Sequence, residues 1–205
     1  MTQWHARRAE LVNNLVRLYE SASPTARADG ALWYPRARAI VDEWSAHYGV
    51  PRNTVAMVIA ALSPQVEWSR NLIMSDDVLA QRPLSVRGAF IRNEMKARQI
   101  REDRSEHLST LMTLFPQGPK VNSFAWNLAG HDTIVTVDTH AVQAALDDPT
   151  TTVTLRWAPY KVFAECYATA AARVGLSAAA FQAVCWLAWK ERYPRMRKHA
   201  LRKRW

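Results

Sequence analysis

The chain has 205 residues and a formal net charge of +9, which suits one compact domain or two small lobes and makes a polyanion the first partner to consider. It is 49% apolar yet holds only six glycines, a balance that favours helices over a turn-rich β protein. Two cysteines, Cys166 and Cys185, exclude a disulfide framework, an iron–sulfur cluster and a Cys-type zinc site; in apolar helical surroundings they are expected core thiols.

In chain order, residues 4–21 predict an amphipathic helix with Leu11, Leu15 and Leu18 at helical spacing, ended by Ser23-Pro24. After Ala28-Asp29-Gly30 a second helix is expected from Leu32 to Tyr48, with Gly49 as its C-cap. Asn53 or Thr54 then caps a third helix, Val55 to Leu62, apolar nearly all round and so the expected central buried helix. Ser63-Pro64-Gln65 stops it, and a helix from Glu67 to Ala80 follows. Residues 84–108 are rich in alternating charge and predict a surface helix; a further helix over 105–113 leads into a Pro/Gly turn. That turn, Pro116-Gln117-Gly118-Pro119, opens an apolar helix at Lys120. A β-branched run, Ile134-Val135-Thr136-Val137, ends at Asp138, which is placed to cap the next helix. Helices over 159–174 and 178–193 complete an all-α chain of eight to ten helices, with at most one short extended piece at 133–137.

No apolar run approaches eighteen residues and no h-region follows Met1, so neither a membrane span nor a signal peptide is expected, and a reducing, cytoplasmic setting is. From Lys190 to Trp205 there are eight Lys or Arg and one Glu. Such a tail is either a solvated end or an arm on phosphates. His131 and His140 are not at metal-ligand spacing with other ligand types, so no metal site is expected, nor any other cofactor.

Lys120 sits where the helix macrodipole disfavours a cation. It is either a surface lysine, a companion to an anion held by the helix N-terminus, or an amine that sheds its proton and attacks as a nucleophile. Asp138 is a cap, or a carboxylate held rigid by capping and aimed across at the Lys120 helix. Gln65 caps a junction or projects into a cleft.

Gly118-x-Lys120, followed eighteen residues later by Asp138 within Val137-Asp138-Thr139-His140, resembles the hairpin of the helix-hairpin-helix DNA glycosylases of the HhH-GPD superfamily, endonuclease III-like. Leu62-Ser63-Pro64-Gln65, with Asn71 beyond it, is similar to the family's leucine–serine–x–glutamine segment. The resemblance covers about residues 50–146. Pro116 stands in the slot of the hairpin's first glycine and Pro119 precedes the lysine, which leaves fewer N–H groups for a phosphate.

The resemblance implies one two-lobed helical domain over 1–205, with the hairpin at the lobe interface and a basic tail over 190–205. It implies a monomer that binds double-stranded DNA, flips a nucleotide and excises a modified or damaged base. Lys120 would attack the sugar C1′, Asp138 would orient or deprotonate it, and Gln65 would fill the gap in the duplex. Gly118, Asn71, His140, Arg197 and Lys198 would contact DNA. The segment 181–189 has no counterpart in the repair enzymes; with a polar Gln and two Trp on an apolar helix it is either core packing or, with Trp68, Gln182 and Trp186, the lining of a divergent base pocket. A host repair enzyme and a phage-encoded one in a bacterial host are both compatible. Two alternatives stay open: a base-hypermodification enzyme acting on modified thymine, and a DNA-binding module without chemistry.

Overall fold

Ser23 and Pro24 start the longest helix: the Ser23 hydroxyl accepts the Ala26 N–H, and Pro24 fills the first turn, where no intrahelical donor is needed. In the computed structural model, which describes residues 3–194, eleven helices follow one another without a strand among those residues. They are α1 (Gln3–Ala6), α2 (Arg8–Glu20), α3 (Pro24–Tyr48), α4 (Arg52–Leu62), α5 (Trp68–Leu79) and α6 (Ile91–Asp103). After them come α7 (Ser109–Leu114), α8 (Pro119–Leu128), α9 (Thr139–Leu146), α10 (Trp157–Arg173) and α11 (Ala178–Arg192).

Several boundaries differ from the sequence expectation. The first helix is broken at Arg7 into α1 and α2. Asp29-Gly30 does not interrupt α3, because Gly30 is where α11 crosses it: a Cβ there would lie 2.5 Å from the Val184 Cα. Asn53 and Thr54 do not cap α4. Pro51 precedes its first turn, while the Asn53 amide donates to the Glu106 carbonyl and the Thr54 hydroxyl to that of Ser105. The charge-rich region is helical only over α6; residues 84–90 form a loop, and α7 is shorter than expected. The segment before Asp138 is irregular, not a paired strand.

The buried apolar side chains form two clusters. One gathers α4, α5, α6, α7 and α8 around the wholly buried stretch Val55–Leu62. The other gathers α2, α9 and α10 around Phe163, Tyr167, Phe181 and Trp189. Helices α3 and α11 contribute to both, Tyr34 and Ala183 to the first and Ala26 and Cys185 to the second. Cys166 and Cys185 are buried free thiols; burial pushes the Cys166 thiol up to about 11, well away from reactivity at neutral pH. Among the described residues no single helix is long and apolar enough to cross a membrane.

Candidate active site

The turn before α8 closes on itself. The Phe115 carbonyl accepts the Gly118 N–H at 3.0 Å and the Asn122 side-chain amide at 3.0 Å, while the Trp157 indole donates to the Pro116 carbonyl at 2.6 Å. Gly118 therefore cannot offer its amide to a phosphate. A Cβ at Gly118 would stand 3.1 Å from that of Phe115, so the tightness of the turn accounts for the glycine. Pro119 has no N–H, and the Asn122 N–H bonds to the Gly118 carbonyl, which leaves the amides of Lys120 and Val121 as the open donors of this helix end.

From the far end of α8 the chain is bolted back down. Asn127, with no exposed surface, donates to the carbonyls of His131 (2.9 Å) and Ile134 (2.8 Å) and accepts the Thr136 hydroxyl at 2.6 Å. Arg38 and Arg52 donate to the carbonyls of Asn127 and Ala129, cations at the negative end of the helix. The Tyr160 hydroxyl donates to the Val135 carbonyl and accepts the Val137 N–H, both at 2.9 Å, and it lies beside Ser123, one turn back along α8. The segment thus runs antiparallel to α8. Lys120 to Asn127 is a rise of roughly 10 Å along the helix. Two extended residues, Thr136 to Asp138, retrace roughly 7 Å of it. Asp138 thus lies back from the level of Asn127 toward the Lys120 end of α8.

Both oxygens of Asp138 are held. Its Oδ1 accepts the Ala141 N–H at 2.9 Å, capping α9 as the sequence predicts, and its Oδ2 accepts the Trp186 indole N–H at 3.2 Å. Each oxygen keeps a lone pair for another donor. Lys120 is half-buried and, among the described residues, forms no hydrogen bond, ion pair or ring contact. No salt bridge joins it to Asp138 among the described residues.

A wall of rings connects them. Phe124, one turn beyond Lys120 on the same face of α8, lies 6.5 Å from Tyr34, 5.9 Å from Trp33 and 6.3 Å from Trp68, centre to centre. The Tyr34 hydroxyl donates to Gln182 Oε1 at 3.3 Å. On α11, Gln182, Trp186 and Lys190 share one face; the Lys190 amine sits 4.1 Å above the Trp186 ring, and His140 approaches that ring edge-on at 6.4 Å. Burial raises the phenols of Tyr34, Tyr160 and Tyr167, and the nearby Asp138 carboxylate adds to each shift.

Gln65 is exposed and held at φ +62° in the turn Ser63-Pro64-Gln65-Val66, closed by the Val66 N–H on the Ser63 carbonyl at 3.3 Å. Proline second and a left-handed residue third is the pattern of a type II turn, whose third position prefers glycine. A glutamine placed there is strained and points its amide outward. Asn71 does not reach the surface: 1% exposed, it donates to the Ile59 carbonyl and accepts the Ser75 hydroxyl, a strut between α4 and α5 and not a DNA contact. Trp68 belongs to the ring wall, Trp186 anchors Asp138, and His140 bonds to Gln143. Arg197 and Lys198 lie outside the described residues. The sequence reading missed Tyr34, Phe124 and Asn127. Phe124 and Asn127 carried a signal, since they recur at four and seven residues from Lys120; Tyr34 carried none.

A family profile matches residues 1–193, nearly the whole chain, and it is described as a family of unknown function (DUF7178). The chain belongs to this family. No curated protein and no solved structure matches it. Among the described residues no three His, Cys, Asp or Glu side chains are grouped to hold a metal ion.

Proposed function

We propose that this protein is a DNA glycosylase with lyase activity, acting on double-stranded DNA through Lys120. The observation that carries the proposal is the half-buried amine of Lys120, which lacks any acidic partner among the described residues. It stands at a helix N-terminus, and the segment that returns along that helix ends in a carboxylate held by two donors. A structural lysine in that position would be paired or fully exposed. The HhH-GPD-like two-lobed arrangement is part of the same proposal, supported by two apolar clusters, one holding α8 and the other α9.

The chemistry follows from the groups present. With a nucleotide flipped against the ring wall, Lys120 Nζ gives its electron pair to the sugar C1′ while the C1′–N bond breaks and the base leaves with that bond's electrons. Asp138 offers its remaining lone pairs to the proton that the amine must lose, and its charge favours the cationic sugar in the transition state. Opening of the sugar ring leaves a Schiff base on Lys120, from which elimination of the 3′ phosphate cuts the strand. The open amides of Lys120 and Val121 suit a phosphate at this helix end. Gln65, exposed on a strained turn, is the side chain offered to the vacated stack.

The test is covalent trapping. Duplexes carrying an abasic site, or a uracil, oxidised, alkylated or hydroxymethylated base, are incubated with protein and borohydride. A covalent adduct is expected with at least one duplex and none with Lys120→Ala; Asp138→Asn slows its formation about a hundredfold or more. An adduct that persists in Lys120→Ala, or none with any duplex, refutes the proposal. Base alteration without strand scission would instead favour a hypermodification enzyme, and salt-sensitive binding alone a DNA-binding module.

A further inference from the structure

The ring of side chains leaves one polar group unused. Gln182 is 6% exposed, and its Oε1 is occupied by the Tyr34 hydroxyl at 3.3 Å. Its Nε2 has no partner among the described residues, yet it is not sealed from solvent as the Asn122 Oδ1 and Trp189 Nε1 atoms are. An amide whose donors meet solvent at the edge of a buried ring of side chains is open to a ligand acceptor. Its neighbours on α11 point the same way, since one turn further Trp186 grips Asp138.

The orientation of that amide follows its bond to Tyr34. The Tyr34 hydroxyl, which burial keeps protonated, donates to Gln182 Oε1. The oxygen of the amide is the end that faces Tyr34, and the NH₂ end is left free, one turn along α11 from the Trp186 that holds Asp138. A group that can only donate at this point selects an acceptor and leaves a donor unpaired.

Taking the base-flipping reading above as its premise, we propose that Gln182 reads the flipped base and selects a keto base, one with a carbonyl oxygen where its amino counterpart carries NH₂. Tyr34 is the positioning residue that sets the amide's direction. The class includes uracil- and thymine-type pyrimidines and guanine- or hypoxanthine-type purines. The depth of the wall decides between them, and both are put to the test.

The experiment measures binding, so it does not depend on the lysine chemistry. Full-length Lys120→Ala protein is titrated by anisotropy against duplexes with one central unpaired base, in two pairs that differ only in carbonyl against amine: uracil with cytosine, and hypoxanthine with adenine. At least one pair should show about tenfold tighter binding to the keto member. Adding Gln182→Glu, which replaces donors by acceptors at equal size, should abolish or invert that preference. Adding Tyr34→Phe, which frees the amide to turn over, should weaken it while leaving overall affinity within about threefold. Equal binding within both pairs, or a preference that survives Gln182→Glu, overturns the inference. Trapping of the wild-type protein on abasic DNA, which has no base to read, reports separately on Lys120.

Discussion

Replacing Gly30 by alanine tests how α3 and α11 are locked together. The added methyl carbon would fall 2.5 Å from the Val184 Cα, 2.7 Å from its N and 2.7 Å from its Cγ2. Two of the three are backbone atoms, so no rotamer change relieves the contact and the helices must separate. Alanine in a helix interior is worth about 1 kcal/mol over glycine. Overpacking of this kind costs about 1–3 kcal/mol, and a rigid backbone target puts it at the upper end. The net expectation is a loss of about 1–2 kcal/mol. For a chain of this size that lowers the melting temperature by about 2–8 °C. Urea unfolding followed by far-ultraviolet circular dichroism measures the first quantity and a thermal scan the second. Because α11 carries Gln182 and Trp186, the variant should also lose part of its discrimination between bases. A Gly30→Ala protein as stable as wild type, or more so, would mean that the helices do not cross this closely and would refute the account of why Asp29-Gly30 lies inside a helix.

Other outcomes follow from single contacts. Asn127→Ala strips two carbonyls and a hydroxyl of their partner in a fully buried place and should cost about 2–4 kcal/mol in urea unfolding, with the hairpin segment losing amide-exchange protection first. Gln65→Gly removes a left-handed strain of about 1 kcal/mol, which offsets the added freedom of the unfolded chain. It should be at least as stable as wild type yet bind duplex DNA more weakly, a combination seen by pairing a thermal scan with a binding titration. Asp148 is held down to about 2, first by the Thr151 hydroxyl and then by the hydroxyl and N–H of Thr150. A carboxylate lowered in the folded state adds stability that is whole above its ordinary value and fades as pH falls toward 2. Asp148→Asn should therefore flatten the decline in stability between about pH 4 and pH 2, read from melts at stepped pH.

The sequence carried its local information well. Gly49 and Asp138 act at helix ends through contacts within a few residues, which is why the all-helical class and most elements were legible, while Ser23-Pro24, read as the end of the first helix, starts α3 eight residues before the expected Leu32. It failed where a residue's partner is distant in sequence. Asp29-Gly30 has the chemistry of a turn, and only the approach of Val184 on α11 turns it into a helix crossing. Asn71 looks like a surface amide until the Ile59 carbonyl is found to need a donor. Gly118 carries the mark of an open hairpin, but the Phe115 carbonyl claims its amide. For the candidate site, the capping role of Asp138 followed from its place before α9. The bond from Trp186 to Asp138 and the bond from Tyr34 to Gln182 join helices 48 and 148 residues apart, and no periodicity reveals them.

The crossing of α3 and α11 also bears on where the work of recognition falls. Both helices run through the two apolar clusters and touch backbone to backbone at Gly30, so the clusters share a spine and have no free hinge there. A protein built this way does not close around a duplex. Under the proposed function the DNA must do the bending, and the deformation energy is charged to the nucleic acid. Duplexes already weakened by a mismatch, a gap or a lost base are then favoured before any side chain has read the base itself.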